Sequence, residues 1–213
     1  MSDSRRPFAR LRQLAVMATV ALLLCSAAAV AAPAGSVIGL SGACSVESGG
    51  QRAPLKIGQA VQVGDTVDVP AGGKLKLRMG DGSVVSVAAG SRLTVSGYAV
   101  DGNGQRVSAN LSLTQGLVRA VVSPMGQPAT FEVATAVGAA AARSTDWFIE
   151  ASGGAMQVGV LTGSVSMRSA ATGRGETIPA RWGARLEAGR DPVPARLWSP
   201  AEFQAVISRT DVP

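Results

Sequence analysis

Histidine is absent from the 213 residues, and that absence removes whole classes of chemistry. Without it there is no Ser-His-Asp or Cys-His nucleophile, no His-ligated zinc and no imidazole acid–base step. Cysteine is almost absent too: of two, Cys25 lies in an N-terminal apolar run. Cys44 is then alone in the rest of the chain, which leaves no internal disulfide and no thiolate metal cluster. A small packing residue is its expected role. No Gly-rich phosphate loop, dinucleotide fingerprint, Gly-x-Ser-x-Gly elbow or Ser-x-x-Lys pair is present. No catalytic residue, metal site or cofactor is expected, and an enzyme is not the reading.

Aromatics are scarce as well, at 4%, while glycine is abundant, with 26 residues. Apolar residues come as short clusters rich in valine, which points to many short strands joined by tight turns. Helical periodicity is poor through the body of the chain. The length suits one domain with short tails.

The N-terminus reads as a targeting segment. Arg5, Arg6, Arg10 and Arg12 precede an apolar stretch from Leu14 to Ala29, and Ala29-Val30-Ala31 has the small-x-small form of a cleavage site. Residues 1–31 are therefore expected to be a signal peptide and the remainder periplasmic or secreted. General secretion is the default route, although Ser4-Arg5-Arg6-Pro7-Phe8 has some twin-arginine character. The formal charge of +6 comes partly from this leader. Past residue 31 there remain 16 basic and 13 acidic side chains, scattered and without interleaved aromatics. No nucleic-acid surface is expected, and contact with a membrane is expected only through an uncleaved leader.

From about residue 36 candidate strands recur with turn signals between them. Lys74-Leu75-Lys76-Leu77-Arg78-Met79 alternates strictly, with three apolar residues on one face and three cations on the other. Gly80-Asp81-Gly82 supplies a tight turn and residues 83–87 a return strand. Further strands are expected at 92–96, 107–114, 117–122, 130–134, 147–151, 155–161 and 164–168. Leu113-Thr114-Gln115-Gly116-Leu117-Val118 and Leu161-Thr162-Gly163-Ser164-Val165 echo each other as strand, glycine turn, strand. Asp101-Gly102-Asn103-Gly104-Gln105 resembles the start of a calcium loop but lacks the downstream glutamate, and a hairpin turn is expected there. Ser199-Pro200-Ala201-Glu202 opens a short helix expected over 200–208.

The densest chemistry lies in a polar knot: Arg143, Ser144, Thr145, Asp146 and Trp147, followed by Phe148. Alternation sends Trp147 and Ile149 to one face of a strand and Phe148 to the other. One role is structural, with Arg143 and Asp146 paired or bonding backbone and the aromatics in the core. The other is a recognition patch in which Arg and Trp anchor a partner.

The order of motifs resembles the FecR domain, the periplasmic sensing module of iron-citrate regulators, over residues 35 to 189. The resemblance rests on Val63-Gly64-Asp65-Thr66-Val67, Asp81-Gly82-Ser83-Val84-Val85, Leu117-Val118, Phe131-Glu132-Val133-Ala134-Thr135, the knot itself and Val158-Gly159-Val160-Leu161-Thr162-Gly163. It implies an all-β fold, a twisted solenoid or roll of many short strands; the residues themselves add a linker and short C-terminal helix at 190–213. It also implies a non-enzymatic sensing or binding module for a protein or cell-envelope ligand, in signalling or envelope homeostasis. The alternative is a structural or assembly protein of the envelope that docks through strand edges. Two departures stand out. Ser144 replaces the usual glycine of the knot, which would be strained if the position needs positive φ. Only a short arginine-bearing stretch precedes the apolar leader, so a cytoplasmic anti-sigma segment is not expected.

Overall fold

The computed structural model describes residues 33–125 and 129–212; the signal-peptide reading of 1–31 falls outside them. The described chain is predominantly β, with seventeen strands in one open sheet. The first run is β1 (Gly35–Ser41), β2 (Ser45–Ser48), β3 (Gln51–Pro54), β4 (Ala60–Val61), β5 (Thr66–Val69), β6 (Lys74–Met79) and β7 (Val84–Val87). The middle holds β8 (Ser91–Val100), β9 (Arg106–Val121), β10 (Phe131–Ala134), β11 (Gly138–Ala142) and β12 (Asp146–Ser152). The last run is β13 (Ala155–Thr162), β14 (Ser164–Ser169), β15 (Gly175–Pro179), β16 (Trp182–Glu187) and β17 (Arg196–Leu197), then helix α1 (Pro200–Thr210). No helix among the described residues is long and apolar enough to cross a membrane.

The sheet divides into two wings that share β9. The front wing runs β4-β1-β6-β7-β9-β12-β13-β16-β17. The back wing runs β3-β2-β5-β8-β9-β10-β11-β14-β15. Among the described strands only β9 and β10 pair in parallel. From β10 onward successive hairpins fall alternately on the two wings: β10–β11 back, β12–β13 front, β14–β15 back.

Strict alternation builds the core between the wings. Leu75, Leu77 and Met79 are buried while Lys74, Lys76 and Arg78 face outward. Leu111, Leu113, Phe131 and Val133 from the back wing meet Val118, Trp147, Ile149 and Val158 from the front in one apolar cluster. Each such side chain contributes about 1.5–3 kcal/mol over an exposed one.

The two echoed segments differ in detail but share a purpose. The expected turn at Gly116 is instead a bend inside one long strand, β9, which crosses there from the back wing to the front. Gly116 takes φ 95°, and a Cβ there would collide with Ser91. At Gly163, φ 84°, the chain crosses the other way, between β13 and β14. Both echoes mark corners, where backbone curvature demands glycine.

The turn after β6 is closed by Met79 and Ser83, so it holds three residues and not two. Asp101 Oδ1 accepts from the amides of Asn103 and Gln105, which makes that segment a side-chain-closed turn. Helix α1 runs two residues beyond expectation. Its capping box is complete: Ser199 N donates to Glu202 Oε2 at 2.8 Å and Glu202 N to Ser199 Oγ at 3.3 Å.

Candidate binding surface at the polar knot

The knot sits where the chain passes from β11 on the back wing to β12 on the front. Its residues part company. Arg143 and Ser144 are exposed, Thr145 is buried and Asp146 is half-buried. Trp147 is 0% exposed in the main core, with no acceptor for its indole N–H among the described residues. Phe148 points to the opposite face, as the alternation requires.

Asp146 pairs with Arg119 of β9 and not with Arg143. Arg119 Nε and a terminal nitrogen donate to the two carboxylate oxygens at 2.8 and 2.7 Å, a fork-to-fork contact. That contact raises the Arg119 pKa above its ordinary value. Thr145 Oγ1 donates to the Ser164 carbonyl at 3.2 Å, and its own carbonyl accepts from Val122 N at 2.9 Å. Ser144 is outside the left-handed region, because Arg181, at φ 70°, is the one non-glycine residue with positive φ among those described. The strain anticipated for a serine in place of glycine is absent.

Beneath the knot lies a group that the sequence did not reveal. Arg106 and Asp81 form an ion pair with both side chains fully buried. Arg106 also donates to the carbonyls of Arg143 at 3.0 Å and Ala129 at 3.3 Å, and its guanidinium lies 5.8 Å from the centre of the Phe131 ring. Asp81 accepts from the amide and hydroxyl of Ser83, both at 2.8 Å, and Ser83 Oγ in turn accepts from Ser123 N at 3.0 Å. The Tyr98 hydroxyl lies beside Asp81 and interacts with it electrostatically, but its geometry falls short of a directed hydrogen bond. Burial alone would push the Asp81 carboxyl up; Tyr98, Ser83 and Arg106 together hold it below the usual carboxylate range. Burial and the neighbouring carboxylate push the Tyr98 hydroxyl up. The Asp-Gly-Ser turn and the knot, distant in sequence, are thus clamped by one arginine.

Arg106 escaped notice because alternation back from Leu113, Leu111 and Ala109 assigns Val107 to the core and Arg106 to solvent. A β-bulge opposite Ala99 and Val100 inverts the pattern. Val107 is 62% exposed and Arg106 2%.

On the surface the knot borders an open groove of about 550 Å³ on the back wing, lined by Thr130, Ala141, Arg143, Ser144, Ser164 and Ser166 among others. Among the described residues the Arg143 side chain has no polar partner. Among the described residues no cluster of acids, cysteine or histidine is placed to hold a metal. Asp65 and Asp81 serve different partners, Asp65 Oδ2 accepting from Gln62 N at 2.8 Å.

Residues 65–166 match the family model for FecR protein. That stretch is similar to the FecR family. The turn at Asp81 and the knot both lie inside the matched span, so the buried clamp joins two parts of it. Two crystal structures of a candidate anti-sigma factor from Parabacteroides distasonis share the fold, with TM-score 0.54 and 15% identity. The likeness covers 66% of this chain and about 63% of the solved one, so this chain spans less than two thirds of that protein. No curated protein sequence matches.

Proposed function

We propose that the chain is a non-enzymatic, extracytoplasmic FecR-like sensing module that recognises a protein or cell-envelope ligand in signalling. The observation carrying this reading is the exposure of Arg143 and Ser144 at a groove, over a knot whose backbone is fixed by the buried Arg106–Asp81 pair. Thr145, Asp146 and Trp147 hold that surface from behind, and Arg143 offers an uncommitted guanidinium of the type that anchors interfaces. The signalling assignment draws on the family match and on the anti-sigma description of the structural relatives. Residues 35–189 would form the module, 190–213 the linker and helix, and the leader at 1–31 would place it in the periplasm. The alternation of hairpins between wings from β10 onward supports reading the fold as a flattened solenoid-like roll.

The test is capture from an envelope extract by the exported protein and by its Arg143→Ala variant. One stoichiometric partner, lost on substitution at unchanged melting temperature, supports the module. Equal capture by both proteins removes the knot from recognition.

A second reading, an envelope assembly protein docking through strand edges, draws on β3, whose four residues are all exposed at the edge of the back wing. Trp182 and Leu197 add exposed apolar surface where β16 and β17 pair. Broad sedimentation with cell wall, or self-assembly of the pure protein, would favour it.

A further inference from the structure

The outer face of the front wing carries a second, separate apolar cluster. Phe148, Leu117 and Ala88 of the sheet side meet Trp198, Phe203 and Val206 of the C-terminal segment. The rings of Phe148, Trp198 and Phe203 lie 5.2–6.3 Å apart, within the range of favourable aromatic contact. Two positions of their floor carry no side chain. Gly159 and Gly183 are direct neighbours across β13 and β16. A Cβ on Gly159 would collide with the Phe148 ring, and one on Gly183 with the Trp198 ring. At the far end Lys74 Nζ donates to the carbonyls of Ser208 at 3.1 Å and Asp211 at 2.6 Å, and Lys76 Nζ to that of Val212 at 2.7 Å. These cations meet the carbonyl end of α1, where a helix favours positive charge. An exposed pair, Arg209 and Glu150, closes the side at 2.6 Å.

We infer that this face is a receptor groove for an amphipathic helix, and that residues 198–212 are its resident, displaceable strap. Three observations say the strap can leave. Its cluster shares no residue with the core between the wings, so lifting it uncovers Ala88, Leu117 and Phe148 on the sheet face and leaves that core closed. An eleven-residue helix is too short to persist alone, so a lifted strap unfolds and does not compete strongly to return. The polar contacts that tie it to the rest of the domain are the two lysines, the surface ion pairs Arg209–Glu150 and Arg196–Glu202, and a backbone bond from Trp198 N to the Arg181 carbonyl at 3.0 Å. Water can replace all of them. The occupant that displaces it is a partner helix of α1's own chemistry. It places an aromatic and an aliphatic residue three positions apart on one face and its carbonyl end over Lys74 and Lys76. This surface is distinct from the knot and does not depend on it.

The test uses the full chain and a fluorescent synthetic peptide spanning residues 197–213. Phe203→Ala weakens the resident strap. Hydrogen exchange at 200–212 should accelerate at least tenfold while β12, β13 and β16 keep their protection. The peptide should bind this variant at least tenfold more tightly than the unaltered protein. Adding Lys74→Ala and Lys76→Ala, both outside the core, should weaken peptide binding about tenfold. Peptide binding to neither protein would overturn the inference, as would faster exchange throughout the sheet on Phe203→Ala. A dimer formed by exchange of straps would assign the groove to a second copy and overturn the partner helix.

Discussion

The knot and the strap are both fastened to β12, Asp146 opening that strand and Phe148 lying two residues on, yet opposite chemistry holds them. The knot is fixed from below by a guanidinium and a carboxylate with no exposure, and each also binds other groups. The strap is held by rings resting on glycine, with charges only at its rim. Lifting the knot would strand two charges in the core, at a cost of several kcal/mol each. Lifting the strap would expose apolar side chains, Ala88, Leu117 and Phe148 among them, and a backbone that water can satisfy. The same strand therefore carries one locked feature and one movable one. A locked backbone suits presenting Arg143 in a constant geometry; a movable strap suits exchange.

The sharpest way to break this contrast is at the clamp. Arg106→Met leaves Asp81 buried and unpaired, and should lower the stability of the whole domain by about 3–5 kcal/mol in urea unfolding. Adding Asp81→Leu should recover most of that loss, because the penalty lies in the orphaned charge. A single substitution costing under about 1 kcal/mol would show that the knot is no more rigid than the strap.

The next effect should be confined to the strap. Gly183→Ala places a methyl group against the Trp198 ring, and overpacking of this kind costs about 1–3 kcal/mol. Exchange at 200–210 should accelerate while β12 and β13 are unchanged. Uniform acceleration would mean that strap and sheet unfold as one unit.

These two features were unequally legible. Alternation in Lys74–Met79 and the split of Trp147 from Phe148 could be read directly, because those strands run without interruption and side chains alternate with period two. The helix start was legible from Ser199, Pro200 and Glu202, since capping is local chemistry. The clamp was not, because the bulge at Val107 reverses inside and outside for one residue pair and no local signal announces it. The partner of Asp146 was missed for a related reason: sequence proximity favours Arg143, whereas strand pairing brings Arg119 alongside. Likewise, nothing near Gly159 or Gly183 shows that an aromatic ring from the C-terminal segment lies on each.

Acid should separate strap from knot by a smaller margin. Contacts from Arg196 and from Ser199, at the start of α1, hold the Glu202 carboxyl at about 2, against 4.5 for the free group. A carboxyl depressed on folding contributes stability above its unfolded pKa and loses it as pH falls toward the folded one. Glu202 is at the surface, so the effect is modest, and it acts between about pH 4.5 and 2. Helical circular dichroism and exchange at 200–210 should report loosening in that window, and Glu202→Ala should remove the dependence. Asp81 has the same sign, but its loss shows in global unfolding, so the two are told apart by where exchange accelerates.

The smallest expected change in stability is the most telling for function. The Arg143 carbonyl is part of the clamp, yet its side chain is exposed and touches no acid among the described residues. Arg143→Ala keeps that carbonyl and should shift stability by no more than about 0.5 kcal/mol. Partner capture should fall at least about tenfold if the guanidinium is an anchor. The backbone under the substitution is held by Arg106, so lost capture at constant stability can be assigned to the missing side chain and not to a rearranged knot. If melting temperature falls by many degrees while capture per folded molecule is kept, the residue belongs with the clamp, and the exposed surface of the knot is a by-product of how the domain is fastened.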